Sequence, residues 1–274
     1  MRASYYSTML SELPLAEAAA EVVKAGYTDL AINCDGIPSK FAPHMTAETP
    51  VDECRRLAGT VREAGLGIPA VSTNFYFFAK DDAERLRGLD YVTRMLDRVK
   101  AMDVDYVHLC SSKAYPGKSE DEMFDVFIET WKEILWQAEA RGISVGLESC
   151  APHMYPQTAR YEQLIEVLAP QKLYVNFDPS HFIAIGEDPA KAVETLADSI
   201  RHVHIKDAKG RFPNFSFPPL GEGEVDFPAL ISALLKIGYD GAMTIEYEAN
   251  YFGWKLSPME VLDSSRKFLR DLGI

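Results

Sequence analysis

Eight times along this chain a short β-rich run gives way to a longer stretch with helical spacing, and few folds absorb that alternation. The runs lie at 2–7, 27–33, 67–73, 104–110, 143–148, 173–177, 201–206 and 241–246. Helical spacing follows at 15–25, 50–64, 81–102, 120–141, 158–168, 189–197, 227–237 and 258–272. Proline and glycine punctuate the joints: Pro14 precedes the first helical stretch and Gly26 closes it, while Gly65 and Gly142 close later ones. Eight β–α units in 274 residues, with no low-complexity linker, predict a (β/α)8 TIM barrel spanning 1–274 as a single domain. A doubly wound open sheet would carry a Gly-rich turn after an early strand, and neither GxGxxG nor a Walker A motif occurs.

Hydrophobic residues make up 47% of the chain, enough for a sizeable core. The formal charge of −13, from 28 basic against 41 acidic residues, repels phosphate backbones and anionic lipid. No nucleic-acid or membrane partner is therefore expected. The N-terminal stretch MRASYYSTMLSELP lacks the apolar core of a signal peptide, and no apolar run nears the roughly 20 residues of a membrane span. Cys34, Cys54, Cys110 and Cys150 form no CxxC pair and read as buried thiols of a reducing compartment. The expected location is cytoplasmic.

A barrel of this kind places its active site at the C-terminal ends of its strands. Four successive runs end in polar residues: ISVGLE at Glu148, LYVNFD at Asp178, IRHVHIKD with His204 near its end, and AMTIE at Glu246. Period-two alternation sets Val145, Leu147, Val203, Ile205, Met243 and Ile245 outward, towards the helices. It turns Gly146, Glu148, His202, His204, Thr244 and Glu246 towards the barrel mouth. A lone strand-end glutamate is ordinarily a solvated residue, but four polar ends on neighbouring strands are what one divalent ion needs. Two Glu, one Asp and one His form an oxygen-rich set that suits six-coordinate Mn(II), Co(II) or Mg(II) better than tetrahedral zinc, with Mn(II) the first choice. Such an ion would polarise a hydroxy-ketone and stabilise an enediolate, while a neighbouring carboxylate moves the proton alpha to the carbonyl. His202 shares the inward face but lies deeper, which makes it a supporting or core histidine.

The motifs DPSH at 178–181, HVHIKD at 202–207, PLGEGEVDF at 219–227 and TIEYE at 244–248 resemble the xylose isomerase-like TIM barrel superfamily. Within it the chain is most similar to the sugar phosphate isomerase/epimerase family, with its ketose 3-epimerases and hydroxypyruvate isomerases. The resemblance is motif-specific from about 148 to 248 and looser over the whole chain. It implies metal ligands at Glu148, Asp178, His204 and Glu246, with Glu148 and Glu246 as the acid/base pair on opposite faces of the substrate. It also implies His181 as a substrate contact. Ketohexose 3-epimerases add a glutamate six residues beyond the strand-five Glu, where this chain has Met154. They place an arginine six residues beyond the strand-seven His, where it has Gly210 with Arg211 next door. The metal machinery carries over and the ketohexose substrate does not. Arg211, His153 in ESCAPH and His108 in VDYVHLC become candidate substrate contacts.

The expected function is a metal-dependent sugar epimerase or isomerase acting on a ketose or keto-sugar. The first alternative is a lyase acting on a 3-keto glycoside or keto-inositol by elimination. The second is a non-catalytic sugar-binding barrel, against which the intact ligand set argues. An abasic-site endonuclease would need an Asp-x-His after strand seven, and none occurs. The loops after runs seven and eight carry Phe212, Phe215, Phe217, Tyr251, Phe252 and Trp254, and Phe75 follows run three. These aromatics suit the apolar face of a neutral sugar or glycoside. A small-molecule sugar is thus the expected partner, with a homo-oligomer or a further subunit left open.

Overall fold

The barrel closes through its first and last strands. Parallel strands β1 (Arg2–Tyr6), β2 (Asp29–Asn33), β3 (Val71–Thr73), β4 (Tyr106–Cys110), β5 (Ser144–Glu148), β6 (Leu173–Phe177) and β7 (Ile200–Ile205) run in order around it. β8 (Lys209–Arg211) and β9 (Asn214–Ser216) form a separate antiparallel hairpin. β10 (Ala242–Ile245) then fits between β7 and β1, with Arg2 opposite Ala242 and Ser4 opposite Thr244. This computed structural model describes residues 1–34, 43–73, 81–247, 253 and 255–274.

The helices are α1 (Leu15–Ala25), α2 (Val51–Glu63), α3 (Asp82–Ala101), α4 (Glu120–Glu139), α5 (Thr158–Leu168), α6 (Pro179–Ile185), α7 (Pro189–Thr195), α8 (Phe227–Lys236) and α9 (Pro258–Asp271). Their ends follow local chemistry. Ser119 and Ser257 each close a reciprocal capping box, with Glu122 and Glu260 respectively. Gly26 ends α1 at φ 93°, a left-handed conformation that favours glycine. Among the described residues no helix is long and apolar enough to cross a membrane.

The outward set expected from alternation is fully buried, with Val145, Leu147, Val203, Ile205, Met243 and Ile245 all in the main core cluster. The inward set fills the barrel. Tyr106 on β4 leans across to β5, and Gly146 makes the room: a Cβ there would stand 2.0 Å from Tyr106 Oη. Between β6 and β7 the register slips, so that Val175 faces Ile200 and Asn176 faces His202. The extra residue on β7 is Arg201, a bulge that brings His202 level with Asn176 on the inner side.

Two elements depart from the sequence-based expectation of loop. α6 starts at the strand-six carboxylate: Asp178 Oδ1 accepts the Ser180 N–H at 2.8 Å, and Pro179 occupies the first helical position. At seven residues α6 is too short to display an apolar period. The hairpin β8/β9 turns back from β7 and is tied to α6, the Phe212 N–H donating to Ala184 O at 2.7 Å.

One carboxylate pins both ends of that excursion. Asp207 is buried just past β7. Its Oδ1 accepts from the N–H groups of Ala208 at 2.9 Å and Val225 at 3.2 Å. Its Oδ2 accepts from Gly221 and Gly223, both at 2.9 Å. Gly223 must lack a side chain, because a Cβ there would lie 2.1 Å from Asp207 Oδ1.

Candidate metal centre

Glu148, Asp178, His204 and Glu246 sit at the C-terminal ends of β5, β6, β7 and β10, which are neighbours in the sheet. One ligand atom from each lies within 4.8 Å of the others. His204 Nδ1 is 3.3 Å from Glu148 Oε1 and 3.2 Å from Glu246 Oε2. Neither contact has hydrogen-bond alignment, so both nitrogens of this buried ring lack a partner among the described residues. Asp178 spends Oδ1 on capping α6 and keeps Oδ2 for the cluster. Glu246 is the most accessible member, its side chain 12% exposed against 5% or less for the others.

Glu148 is held from behind by a chain of fully buried groups. Asn176 Nδ2 donates to Glu148 Oε2 at 3.0 Å, so its Oδ1 must accept from His202 Nδ1 at 2.6 Å. That puts the imidazole proton on Nδ1 and leaves Nε2 to accept from the Thr244 hydroxyl at 2.8 Å. Burial, with His204 and His108 nearby, holds the His202 pKa well below its usual value, in agreement with a neutral ring. His202 is therefore a support for Glu148 through Asn176. Asn176 escaped the sequence reading, although it stands two residues before Asp178 on the same inward phase.

The second residue that escaped is Lys206. It continues the inward phase of His202 and His204, and it is 1% exposed. Its Nζ lies 2.8 Å from Glu246 Oε2 and 2.9 Å from Asp178 Oδ2. Burial alone would raise the carboxyl pKa values of Glu148 and Glu246. Opposing groups reverse that: the charge on His204 and the His108 ring beside it hold Glu148 well below the usual range, and Lys206 and His204 take Glu246 down to about 2. Burial would likewise lower His204, but Glu148 and Glu246 outweigh it and push its pKa well up. The pocket thus favours positive charge at its centre.

His181, one turn into α6, faces the same point. Its Nδ1 accepts the Ala151 N–H at 3.3 Å, which leaves the ring proton on Nε2. Nε2 is 3.5 Å from Asp178 Oδ2 and 3.8 Å from Glu148 Oε1. Burial and Lys206 lower its pKa, so it presents a neutral N–H donor.

The remaining expected contacts scatter. His108 is buried behind the ligand set, with Nδ1 3.4 Å from Glu148 Oε2. His153 is half-buried, and burial, followed by His181 and Lys113, lowers its pKa to about 4. Arg211 sits on the hairpin, 48% exposed and paired to Glu224 at 2.8 Å, and the structure does not gather it with the cluster. Phe217 covers Lys206 with its ring, 4.6 Å from Nζ, whereas Phe212 is exposed on the hairpin. Phe75 and Trp254, with Tyr251 and Phe252, lie outside the described residues. Of the cysteines expected to be buried thiols, Cys34, Cys54 and Cys110 are buried and Cys150 is partly so, and none of the four is in a disulfide. Cys150 donates to Cys110 across 3.7 Å beside Glu148.

The donor set fits a divalent cation: convergent, mostly oxygen, with ionised glutamates and an imidazole whose nitrogens have no other claim. A rival grouping of His108, His202 and His204 does not fit, since both nitrogens of His202 are engaged.

Known proteins resemble this chain in sequence and in fold. The chain is 23% identical over 256 residues to fructoselysine 3-epimerase of Escherichia coli O157:H7, covering 92% of each. It is 29% identical over 128 residues to inosose dehydratase of Lacticaseibacillus casei, covering 39% of this chain and 43% of that one. In fold it is similar to the IOLI protein with a bound zinc atom, at TM-score 0.80 and 18% identity, covering 99% and 98% of the two chains. It is likewise similar to 3-keto-D-glucoside 4-epimerase from E. coli, at TM-score 0.78 and 17% identity, covering 99% of each. The family model described as xylose isomerase-like TIM barrel matches residues 19–272, and with its closed barrel this chain belongs to that family.

Proposed function

We propose that this chain is a divalent-metal-dependent epimerase or isomerase of ketoses or keto-sugars, working by removal and return of a proton next to the carbonyl. The observation that carries the reading is the pair Glu148 and Glu246, one buried and one partly buried carboxylate kept ionised within one cluster with Asp178 and His204. Relatives named as a fructoselysine 3-epimerase and a 3-keto-D-glucoside 4-epimerase support it. Glu148, Asp178, His204 and Glu246 would hold the ion, by our reading Mn(II), which supplies Lewis-acid polarisation of the substrate carbonyl.

The chain's own residues do the rest. One glutamate takes the proton from the carbon beside the carbonyl, leaving an enediolate. The other returns a proton to the opposite face, which inverts the centre, or to the adjacent carbon, which moves the carbonyl. Asn176 keeps Glu148 Oε2 engaged, so Oε1 is the oxygen turned to the reacting centre. His181 Nε2–H donates to a substrate oxygen.

Elimination, as in the relative named inosose dehydratase, is the second reading, and it needs an acid for the leaving group. His153 and His181 are the candidates, but burial lowers both pKa values, that of His153 to about 4, which leaves them neutral near pH 7 and weak in that role. Turnover in heavy water with a panel of ketoses and 3-keto glycosides, with Mn(II) added, separates the two. Deuterium should appear at the carbon next to the carbonyl, with no small molecule released. Unlabelled product sinks proton transfer, and a released aglycone or water selects the lyase.

The substrate's charge is a further expectation. Both basic residues of the hairpin strand β8, Lys209 and Arg211, are exposed, and Arg211 is spent on Glu224. A neutral keto-sugar should therefore be used at least about tenfold more efficiently than its phosphate ester, a difference of roughly 1.4 kcal/mol in transition-state binding. Competition kinetics that rank the ester first reject the assignment.

A further inference from the structure

Lys206 is the buried charge that the proton-transfer scheme leaves unused. An ammonium taken this far out of water persists only beside opposite charge. Here the opposing groups are two of the ligand candidates themselves, Glu246 at 2.8 Å and Asp178 at 2.9 Å. Asp178 has no other oxygen to offer, because Oδ1 accepts from Ser180. Phe217 closes over the ammonium at 4.6 Å, and His181 Nε2, carrying its own proton, stands 3.4 Å away as a neighbour rather than an acceptor.

The charges can be counted. Among the described residues of the cluster, Glu148, Asp178 and Glu246 bring three negative charges, and Lys206 brings one positive. His204 must be neutral to act as a ligand. The remainder of two negative charges is the charge of one divalent ion.

We propose that Lys206 is the charge-setting residue of this centre: it makes the pocket complementary to a divalent rather than a trivalent ion, and by leaving the loaded site neutral it confines it to uncharged substrates. The inference rests on reading the cluster as a metal site. Without Lys206 the same ligands would match a trivalent ion, since each added unit of ionic charge then meets one more uncompensated carboxylate.

The test compares Mn(II) with Tb(III), a trivalent ion that also takes oxygen ligands, by calorimetry and sensitised terbium luminescence on the whole protein. Lys206→Met should raise the Tb(III)-to-Mn(II) affinity ratio by about tenfold or more. Lys206→Arg should leave it within about threefold, because the charge is kept. If Lys206→Met does not fold, Lys206→Gln takes its place in the same measurement. An unchanged ratio in a folded neutral variant overturns the proposal while the metal site stands. Loss of fold in both neutral variants even with Mn(II) present also overturns it, because Lys206 is then a structural cation. Failure of the unmodified protein to bind Mn(II) at all removes the underlying metal reading instead.

Discussion

Glu246→Gln should lower turnover by about a thousandfold while leaving the barrel folded. The substitution keeps the shape and removes only the capacity to exchange a proton and to bind a cation as an anion. Glu246 stands at the mouth, past the last residue of β10, and its backbone is held by its own N–H to Ile205 O at 3.2 Å rather than by its side chain. Its contacts with Lys206 and His204 are electrostatic, and both partners keep other carboxylates nearby, Asp178 and Glu148 respectively. Circular dichroism and thermal melting should thus stay close to those of the unmodified chain. A variant that retains a tenth or more of the turnover would show that Glu246 neither carries the proton nor completes the ligand set.

The largest loss of stability should come from Asp207→Ala, away from the reacting centre. Four backbone N–H groups converge on this buried carboxylate, and alanine strands all of them. Stranded buried donors and a lost charged acceptor together cost about 3–5 kcal/mol. For a chain of this size that lowers the melting temperature by on the order of 10 °C. Asp207→Asn should be nearly as harmful, because its amide turns a donor towards N–H groups that also donate. Melting within about 2 °C of the unmodified protein in both variants would refute the clamp.

Much of the barrel and its mouth was legible because strand alternation and strand-end carboxylates obey local rules. α1, α5 and β6 begin and end where the sequence puts them. β3 and β4 begin later than expected, at Val71 and Tyr106; ahead of β3, Pro69 has no N–H to give to a ladder. The ligand set was visible as four polar ends on one phase. Lys206 and Asn176 share that phase, yet a lysine ordinarily reads as a surface residue and an asparagine as a neutral one. Their partners, Asp178 with Glu246 and Glu148, come from other strands, and only the closed barrel brings them near. The bulge at Arg201 leaves no mark in IRHVH, since an extra residue is defined by the partner strand rather than by its own sequence. The short α6 was announced by Asp178 and Pro179, but its length hides any period.

The Asp207 clamp also bears on how such a chain can diversify. Because one carboxylate ties Ala208 to Gly221, Gly223 and Val225, the hairpin between them is anchored at its root, and Phe212 adds a backbone tie to α6. Exposed residues between the two anchor points, such as Lys209 and Arg211, can be exchanged without loosening that root, whereas buried Phe217 cannot. The root itself is tightly built: a side chain at 223 would meet both Asp207 Oδ1, at 2.1 Å, and the backbone oxygen of Ala208, at 2.6 Å. A new wall beside the barrel mouth is therefore easier to build from the exposed residues of the hairpin than from the packed root beneath it.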